Sequence, residues 1–262
     1  MRLKVNAVIS KKCFIPFNYQ FQLHSAIYNL IRKSSDKYSK FLHDTGFIDE
    51  NKHLKLFVFS KLLFKNAKRT TGGFNQVKQI TLLFSTPIPK SFEHLVLGIF
   101  SDQEMVLNVA SRKNVFNIEF VETLPEPVFK FEMKFTCLSP IAVAGSSEEY
   151  SGKHYFDYLI PEEREQYIAG VKNNLLRKYR IIHGQDYAGD DDFVFSFDPT
   201  YIAKRQGKIR KNILFKDSRI VGMEAPFTIK TNPELTKIGY DCGFGSENSA
   251  GFGMANYIND KL

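Results

Sequence analysis

The order of periodic segments predicts an α+β protein built from two successive β-α-β-β-α-β units, and three observations lead there. Segments of period two alternate with segments whose apolar residues recur at i, i+3, i+4 and i+7. The prolines of Leu124-Pro-Glu-Pro127 interrupt both helix and ladder near mid-chain, and after them the order of elements repeats. At 262 residues, 43% hydrophobic and 14% aromatic, the chain can bury two compact cores.

In the first half, Leu3, Val5, Ala7 and Ile9 alternate with other residues, so residues 2–9 are expected as a strand, a layout unlike a signal peptide. Leu23, Ala26, Ile27, Leu30 and Ile31 form the apolar stripe of an amphipathic helix. Residues 38–44 are expected as a short second helix that Gly46 stops. Residues 54–60 form a dense apolar strand and residues 79–86 another. A helix over 91–100 and strands over 105–110 and 115–121 complete a unit assigned to residues 1–123, with one extra helix and one extra strand.

The second unit is assigned to residues 128–262. Strands are expected over 128–136, 193–197, 221–230 and about 252–258. Helices are expected over 161–179, opened by Pro161, and over 232–238, with Pro233 at its first position. The halves share a pattern and no sequence identity. Two such units describe tandem ferredoxin-like (RRM-like) domains, whose sheets commonly offer an open face to RNA.

Charge indicates the class of partner. A net charge of +8 and a pI near 9.2 favour a polyanion. Between Tyr201 and Ile220, the cations Lys204, Arg205, Lys208, Arg210, Lys211, Lys216 and Arg219 face a single acid, Asp217. Ile209, Ile213, Leu214 and Phe215 interleave with them, so this stretch is expected as strands with a basic rim that meets phosphates. A solvated edge kept soluble by lysines is the plainer alternative.

Other classes find little support. No apolar run reaches the roughly 18 residues that span a bilayer, so no membrane partner is expected. Cys13, Cys137 and Cys242 are odd in number and far apart, which argues against disulfides or a zinc knuckle and makes a reducing cytoplasm the simplest setting. Asp190-Asp191-Asp192 follows Gly189 and reads as a solvated turn. Without HxH, HExxH or paired carboxylates, neither metal nor cofactor is expected.

The most distinctive local feature is Gly243-Phe-Gly-Ser-Glu-Asn-Ser-Ala-Gly-Phe-Gly253, where Gly243, Gly245, Gly251 and Gly253 bracket a polar tip. Glycine permits positive φ and close backbone approach, so such a loop can set amide donors against phosphates. It is neither a Walker loop nor a dinucleotide fingerprint. A purely structural turn leading into a strand fits equally well.

The stretch GFGSENSAGFGM closely resembles the C-terminal glycine-rich motif of the CRISPR pre-crRNA-processing endoribonucleases, the sixth family of the Cas series, within the RAMP superfamily. Pro16-Phe-Asn-Tyr-Gln20 with Leu23-His-Ser-Ala-Ile-Tyr28 looks like that family's first loop and helix, and Leu138-Ser-Pro-Ile-Ala142 resembles its mid-chain segment. These blocks span essentially the whole chain. The resemblance implies a tandem ferredoxin-like fold that binds CRISPR repeat RNA and cleaves it once per repeat.

Cutting RNA without metal takes a base for the 2′-hydroxyl proton, an acid for the leaving 5′-oxygen and a cation for the charge on phosphorus. The resemblance implies a Tyr on the first helix, a His shortly after it and a Lys near the following strand. Tyr28 in Ala-Ile-Tyr-Asn, His43 in Phe-Leu-His-Asp and Lys55 before Leu56-Phe57 match best, with Lys52 close by as an alternative lysine. Plainer readings are a core tyrosine and a histidine at a helix end. His24 and His53 compete for the acid–base role, whereas His94, His154 and His183 read as structural or surface residues.

The expected activity is a metal-independent endoribonuclease acting on the precursor transcript to leave 2′,3′-cyclic phosphate and 5′-hydroxyl ends. The alternative is a non-catalytic RNA-binding subunit of the same superfamily in a CRISPR effector complex. Repeat RNA is the expected partner, an effector complex is a further one, and monomer and homodimer are both compatible with the sequence.

Overall fold

The computed structural model describes residues 1–109, 111–147, 150–189 and 192–258. β1 (Arg2–Pro16) leads into α1 (Gln20–Ser34), α2 (Asp36–Lys40) and one π-helical turn, Phe41–Thr45. A hairpin of β2 (Phe47–Asp49) and β3 (Lys52–Leu54) follows, then three short strands, β4 (Val58–Phe59), β5 (Leu63–Lys65) and β6 (Lys68–Arg69). Long β7 (Gly73–Ser85), α3 (Pro89–Asp102), β8 (Glu104–Val109) and β9 (Arg112–Leu124) complete this half. The sheet order is β4-β7-β1-β9-β8, with β5 and β6 pairing along β7. Apart from edge strand β8, this is the ferredoxin-like arrangement. Leu3, Val5, Ala7 and Ile9 bury the inner face against the α1 stripe anticipated from periodicity.

The second half begins with β10 (Glu132–Cys137) and a hairpin of β11 (Ala144–Ser147) and β12 (Tyr150–Tyr155). After α4 (Pro161–His183) come β13 (Val194–Phe197), α5 (Pro199–Lys204) and a hairpin of β14 (Arg210–Phe215) and β15 (Ser218–Met223). β16 (Phe227–Lys230), α6 (Pro233–Cys242), a 3-10 turn over Asn248–Ala250 and β17 (Ala255–Tyr257) end it. The order β13-β16-β10-β17 is again ferredoxin-like. The protein is therefore a tandem of two such units, as the repeated pattern implied.

The strand expected over 221–230 is two, β15 ending at Met223 and β16 beginning at Phe227 in a different sheet, and three further expectations need correction. The segment 54–60 is not one strand: Leu54 ends β3, Leu56 has φ +52°, and only Val58 and Phe59 form the next strand. Leu56 packs in the second unit's core while Phe57 and Phe59 pack in the first's, so the segment is dense in apolar residues because both cores bury it. The basic stretch is only partly extended. The Asp198 carboxylate caps α5 by accepting from the amides of Thr200 and Tyr201, with Pro199 opening the helix. Lys204 therefore ends a helix, Arg205 and Lys208 lie in the turn through Gly207 at φ +73° and Lys216 in the hairpin turn, leaving Arg210, Lys211 and Arg219 on strands. Third, the helix expected over 38–44 is divided into α2 and the π-helical turn. Asp190, Asp191 and Ala110 lie outside the described residues.

Arg2 joins the two units. Its buried guanidinium lies 3.5 Å above the Tyr240 ring and donates to the carbonyls of Tyr240 (2.6 Å) and Ala255 (2.9 Å). Burial lowers its pKa to about 10, so it stays charged at neutral pH. Among the described residues no helix is long and apolar enough to cross a membrane, and all three cysteines are free thiols.

Candidate active site and nucleic-acid interface

The π-helical turn is what presents His43. The Gly46 amide reaches back five residues to the Phe41 carbonyl at 2.6 Å, and the turn buries Leu42 while leaving the His43 side chain 65% exposed. Its ring meets Tyr28 of α1 edge-on at 6.0 Å. Lys55, just beyond β3, folds back and donates from Nζ to the His43 carbonyl at 2.9 Å. A Cβ on Gly46, whose φ is +64°, would sit 2.5 Å from the Leu54 carbonyl oxygen and 2.8 Å from Lys55 Cδ. Glycine is therefore required for Lys55 to close over the turn. The fold thus brings Tyr28, His43 and Lys55 together, while Lys52 stays exposed on β3.

The chemistry of each group follows from its surroundings. His43 Nδ1 lies 2.7 Å from Asp44 Oδ1. A carboxylate only accepts, so Nδ1 carries a proton, and in the neutral imidazole Nε2 is the nitrogen that keeps its lone pair for a substrate. Burial raises the pKa of the Tyr28 phenol, which therefore stays protonated. Partial burial lowers that of Lys55, against a smaller opposing effect of Asp44. Burial also takes His24 down to about 4, so its imidazole is neutral and donates from Nδ1 to the Ser249 carbonyl at 2.7 Å. His24 thus ties α1 to the glycine-rich loop. His53 points Nδ1 at the Thr45 carbonyl at 2.8 Å from exposed β3. His94 meets Ser34, His154 meets Glu163 and His183 stacks on Tyr179.

A cleft of about 350 Å³ opens beside this group, between Lys52, His53 and Lys55 on one side, Asn174 and Arg177 of α4, and Ser246–Ser249 opposite. Buried Asp49 accepts from Arg177 Nε (3.1 Å) and Arg180 Nη1 (3.1 Å), clamping the β2–β3 hairpin to α4. Gly243, Gly245, Gly251 and Gly253 all have positive φ, yet all are buried against the protein. A Cβ on Gly253 would lie 2.0 Å from the Phe244 carbonyl oxygen. The glycines therefore shape the loop, and Ser246–Ser249 is its accessible edge. The main-chain amides of Glu247, Asn248 and Ser249 donate to no acceptor among the described residues. Glu247 itself is engaged by Lys153 and by the Tyr155 hydroxyl.

Arg205, Lys208, Arg210 and Lys211 line a second depression, a groove of about 840 Å³ walled opposite by Phe17, Phe64, Phe74 and Arg69. Lys204 does not line it. Arg210 is committed to buried Asp157 at 3.1 Å, whereas Arg205 and Lys211 have no carboxylate partner among the described residues. At the tip of the β14–β15 hairpin, Phe215 meets His24 edge-on at 5.4 Å and Lys216 lies 5.2 Å from the Phe21 ring centroid. The hairpin therefore connects the groove to α1. The rings are half-buried, and cations beside accessible aromatic faces are what single-stranded nucleic acid uses for phosphate pairing and base stacking.

Sequence reasoning missed Asp44, Asp49 and the α4 cations. Of these only the His43-Asp44 dipeptide carried a local signal, since a carboxylate adjacent to a histidine can fix its tautomer. Among the described residues, no three His, Cys, Asp or Glu side chains are grouped as metal ligands would be.

Residues 14–119 match the family described as CRISPR-associated protein Cas6, N-terminal, and residues 124–257 match CRISPR associated protein Cas6, C-terminal. The chain is 30% identical to the CRISPR-associated endoribonuclease Cas6 1 of Methanocaldococcus jannaschii, across 100% of this chain and 94% of that protein. It is 28% identical to the CRISPR-associated endoribonuclease Cas6 of Pyrococcus furiosus, across 94% of this chain and 85% of that protein. A solved structure of a CRISPR associated protein Cas6 superposes with a TM-score of 0.73 at 27% identity, covering 99% of both chains.

Proposed function

The chain belongs to the CRISPR-associated Cas6 family, and on that premise we propose that it is a metal-independent endoribonuclease that cuts CRISPR repeat RNA within the precursor transcript. The observation carrying this reading is the convergence of Tyr28, His43 and Lys55 beside a cationic cleft. His43 Nε2 takes the proton of the 2′-hydroxyl, whose oxygen attacks the adjacent phosphorus. The bond to the 5′-oxygen breaks, leaving a 2′,3′-cyclic phosphate and a 5′-hydroxyl. Lys55 lies beside the developing negative charge. Because burial loosens its proton while tightening that of Tyr28, Lys55 protonates the leaving oxygen and Tyr28 positions the phosphate through its hydroxyl.

In this scheme residues 1–123 carry the reacting groups and residues 128–262 hold the RNA. The glycines of the loop set the shape of the cleft wall, and Ser246–Ser249 meet the backbone near the cut. Arg205, Lys208 and Lys211 bind phosphates further along the strand. The test is incubation of purified protein with end-labelled repeat RNA in excess EDTA. One discrete cut with cyclic phosphate and 5′-hydroxyl ends is expected. Tight binding without a cut would instead assign a non-catalytic RNA-binding subunit. Activity lost in EDTA and restored by Mg²⁺, with RNA folding unchanged, would overturn the metal-free chemistry.

A further inference from the structure

We propose that Lys178 of α4 is a positioning residue that holds the glycine-rich loop in the shape that seats RNA, an inference that rests on the function proposed above. Its side chain is buried, and among the described residues no carboxylate pairs with it. Its three N–H donors instead meet three oxygens of one loop: the Gly243 carbonyl at 2.6 Å, Asn248 Oδ1 at 2.7 Å and the Gly245 carbonyl at 3.3 Å. An ammonium in that position has given up its water, and burial lowers its pKa to about 8. The titratable group that acts on it, the Cys242 thiol at the end of α6, is itself pushed up by burial to about 12 and stays neutral.

Only a donor with three hydrogens satisfies this arrangement. Gly243 and Gly245 have φ of +87° and +71°, and their carbonyls turn inward toward α4. The side-chain Nδ2 of Asn248 donates in turn to the carbonyls of Phe252 (2.9 Å) and Phe244 (3.4 Å). One cation thereby closes a ring of carbonyls that spans the loop. An apolar side chain of equal length would fill the volume and leave three buried oxygens without a donor. The same loop presents Ser246–Ser249 to the cleft and accepts from His24 through Ser249, so its shape is transmitted to the helix that bears Tyr28. The preceding residue, Arg177, holds Asp49 and the opposite wall. One turn of α4 therefore sets the width of the cleft.

The experiment is Lys178→Met, which keeps length and removes the donors. The repeat-RNA concentration at half-saturation should rise roughly 10–100-fold, the loss of charge-assisted hydrogen bonds expressed through a misplaced binding edge. The single-turnover rate at saturating RNA should change by less than about 3-fold, the reverse of the His43→Ala pattern. Without RNA, amide hydrogen exchange should accelerate across residues 243–252 while β1 and β7 keep their protection. Asn248→Ala, which removes one acceptor, should shift both readouts in the same direction by less, and it serves as the test should Lys178→Met not fold. Unchanged half-saturation together with unchanged loop exchange overturns the proposal, as does a smaller active fraction at unchanged half-saturation. Should the wild-type protein bind no repeat RNA, the function proposed above fails and loop exchange still decides whether Lys178 holds the loop.

Discussion

The ammonium of Lys55 donates to the main-chain carbonyl of His43 at 2.9 Å, which fixes a cation beside the turn that presents the imidazole. The bond crosses from the end of a hairpin to a π-helical turn, and it needs the absent side chain of Gly46. Acid–base catalysis depends on such fixed separations, since groups held in place before substrate arrives need no reorganisation during reaction.

His43→Ala should slow cleavage at saturating RNA by roughly 10²–10⁴-fold and leave affinity within about 2-fold. Asp44→Asn should cost less, about 10-fold, because the imidazole remains but its tautomer is no longer enforced. Single-turnover rates with filter-binding affinities measure both. A His43→Ala protein that cuts at the normal rate would move the acid–base role to His53, whose Nε2 also faces away from its carbonyl partner.

The groove makes a separate prediction about salt. Neutralising each phosphate on single-stranded RNA contributes about −0.7 to the slope of log affinity against log salt. Replacing Arg205, Lys208 and Lys211 with Ala should flatten that slope by about two units, with little change in the rate at saturation. Arg210→Ala should act differently. Its partner Asp157 is buried, so this variant should lower stability, read as a fall in Tm, more than it alters the salt slope. A triple variant with unchanged affinity and slope would reduce the basic stretch to a soluble edge.

Asp49→Ala tests the clamp between the units. Breaking a fully buried ion pair costs about 3–5 kcal/mol, but Arg177 and Arg180 are partly exposed and water screens them. A loss of about 2 kcal/mol is expected, or about 4–8 °C in Tm for a chain of this size. Cleavage should weaken as well, because the hairpin leading to Lys55 loses its anchor. Unchanged Tm would show that packing alone holds the hairpin.

His24 makes stability depend on pH. Its pKa is near 4 in the folded protein and near 6.5 when unfolded, so between these values the unfolded chain binds the extra proton. The contribution is fully present above pH 6.5 and is lost as pH falls toward 4, by up to about 3 kcal/mol. Chemical denaturation at pH 7 and pH 4.5 should show the loss, and His24→Gln should reduce it. An equal loss in that variant would place the sensitivity in another group.

The sequence by itself determined the repeated element order, the α1 stripe and the places where positive charge accumulates. Each of these is written in neighbouring residues, through period, proline and local composition. It also carries the signal for α5, since Asp198-Pro199 is a capped helix start, whereas the interleaved apolar residues Ile213, Leu214 and Phe215 mark only the strand that follows. Tertiary structure alone decided which residues meet. Residues 54–60 are apolar because two cores share them, and no local period encodes that division. Lys178 reads as one more helical lysine until a loop 65 residues away folds its carbonyls around it. Asp49 likewise finds Arg177 across 128 residues of chain. Periodicity is a property of adjacent residues, whereas a site is made where packing closes long loops of chain, and that closure is set by the whole fold at once.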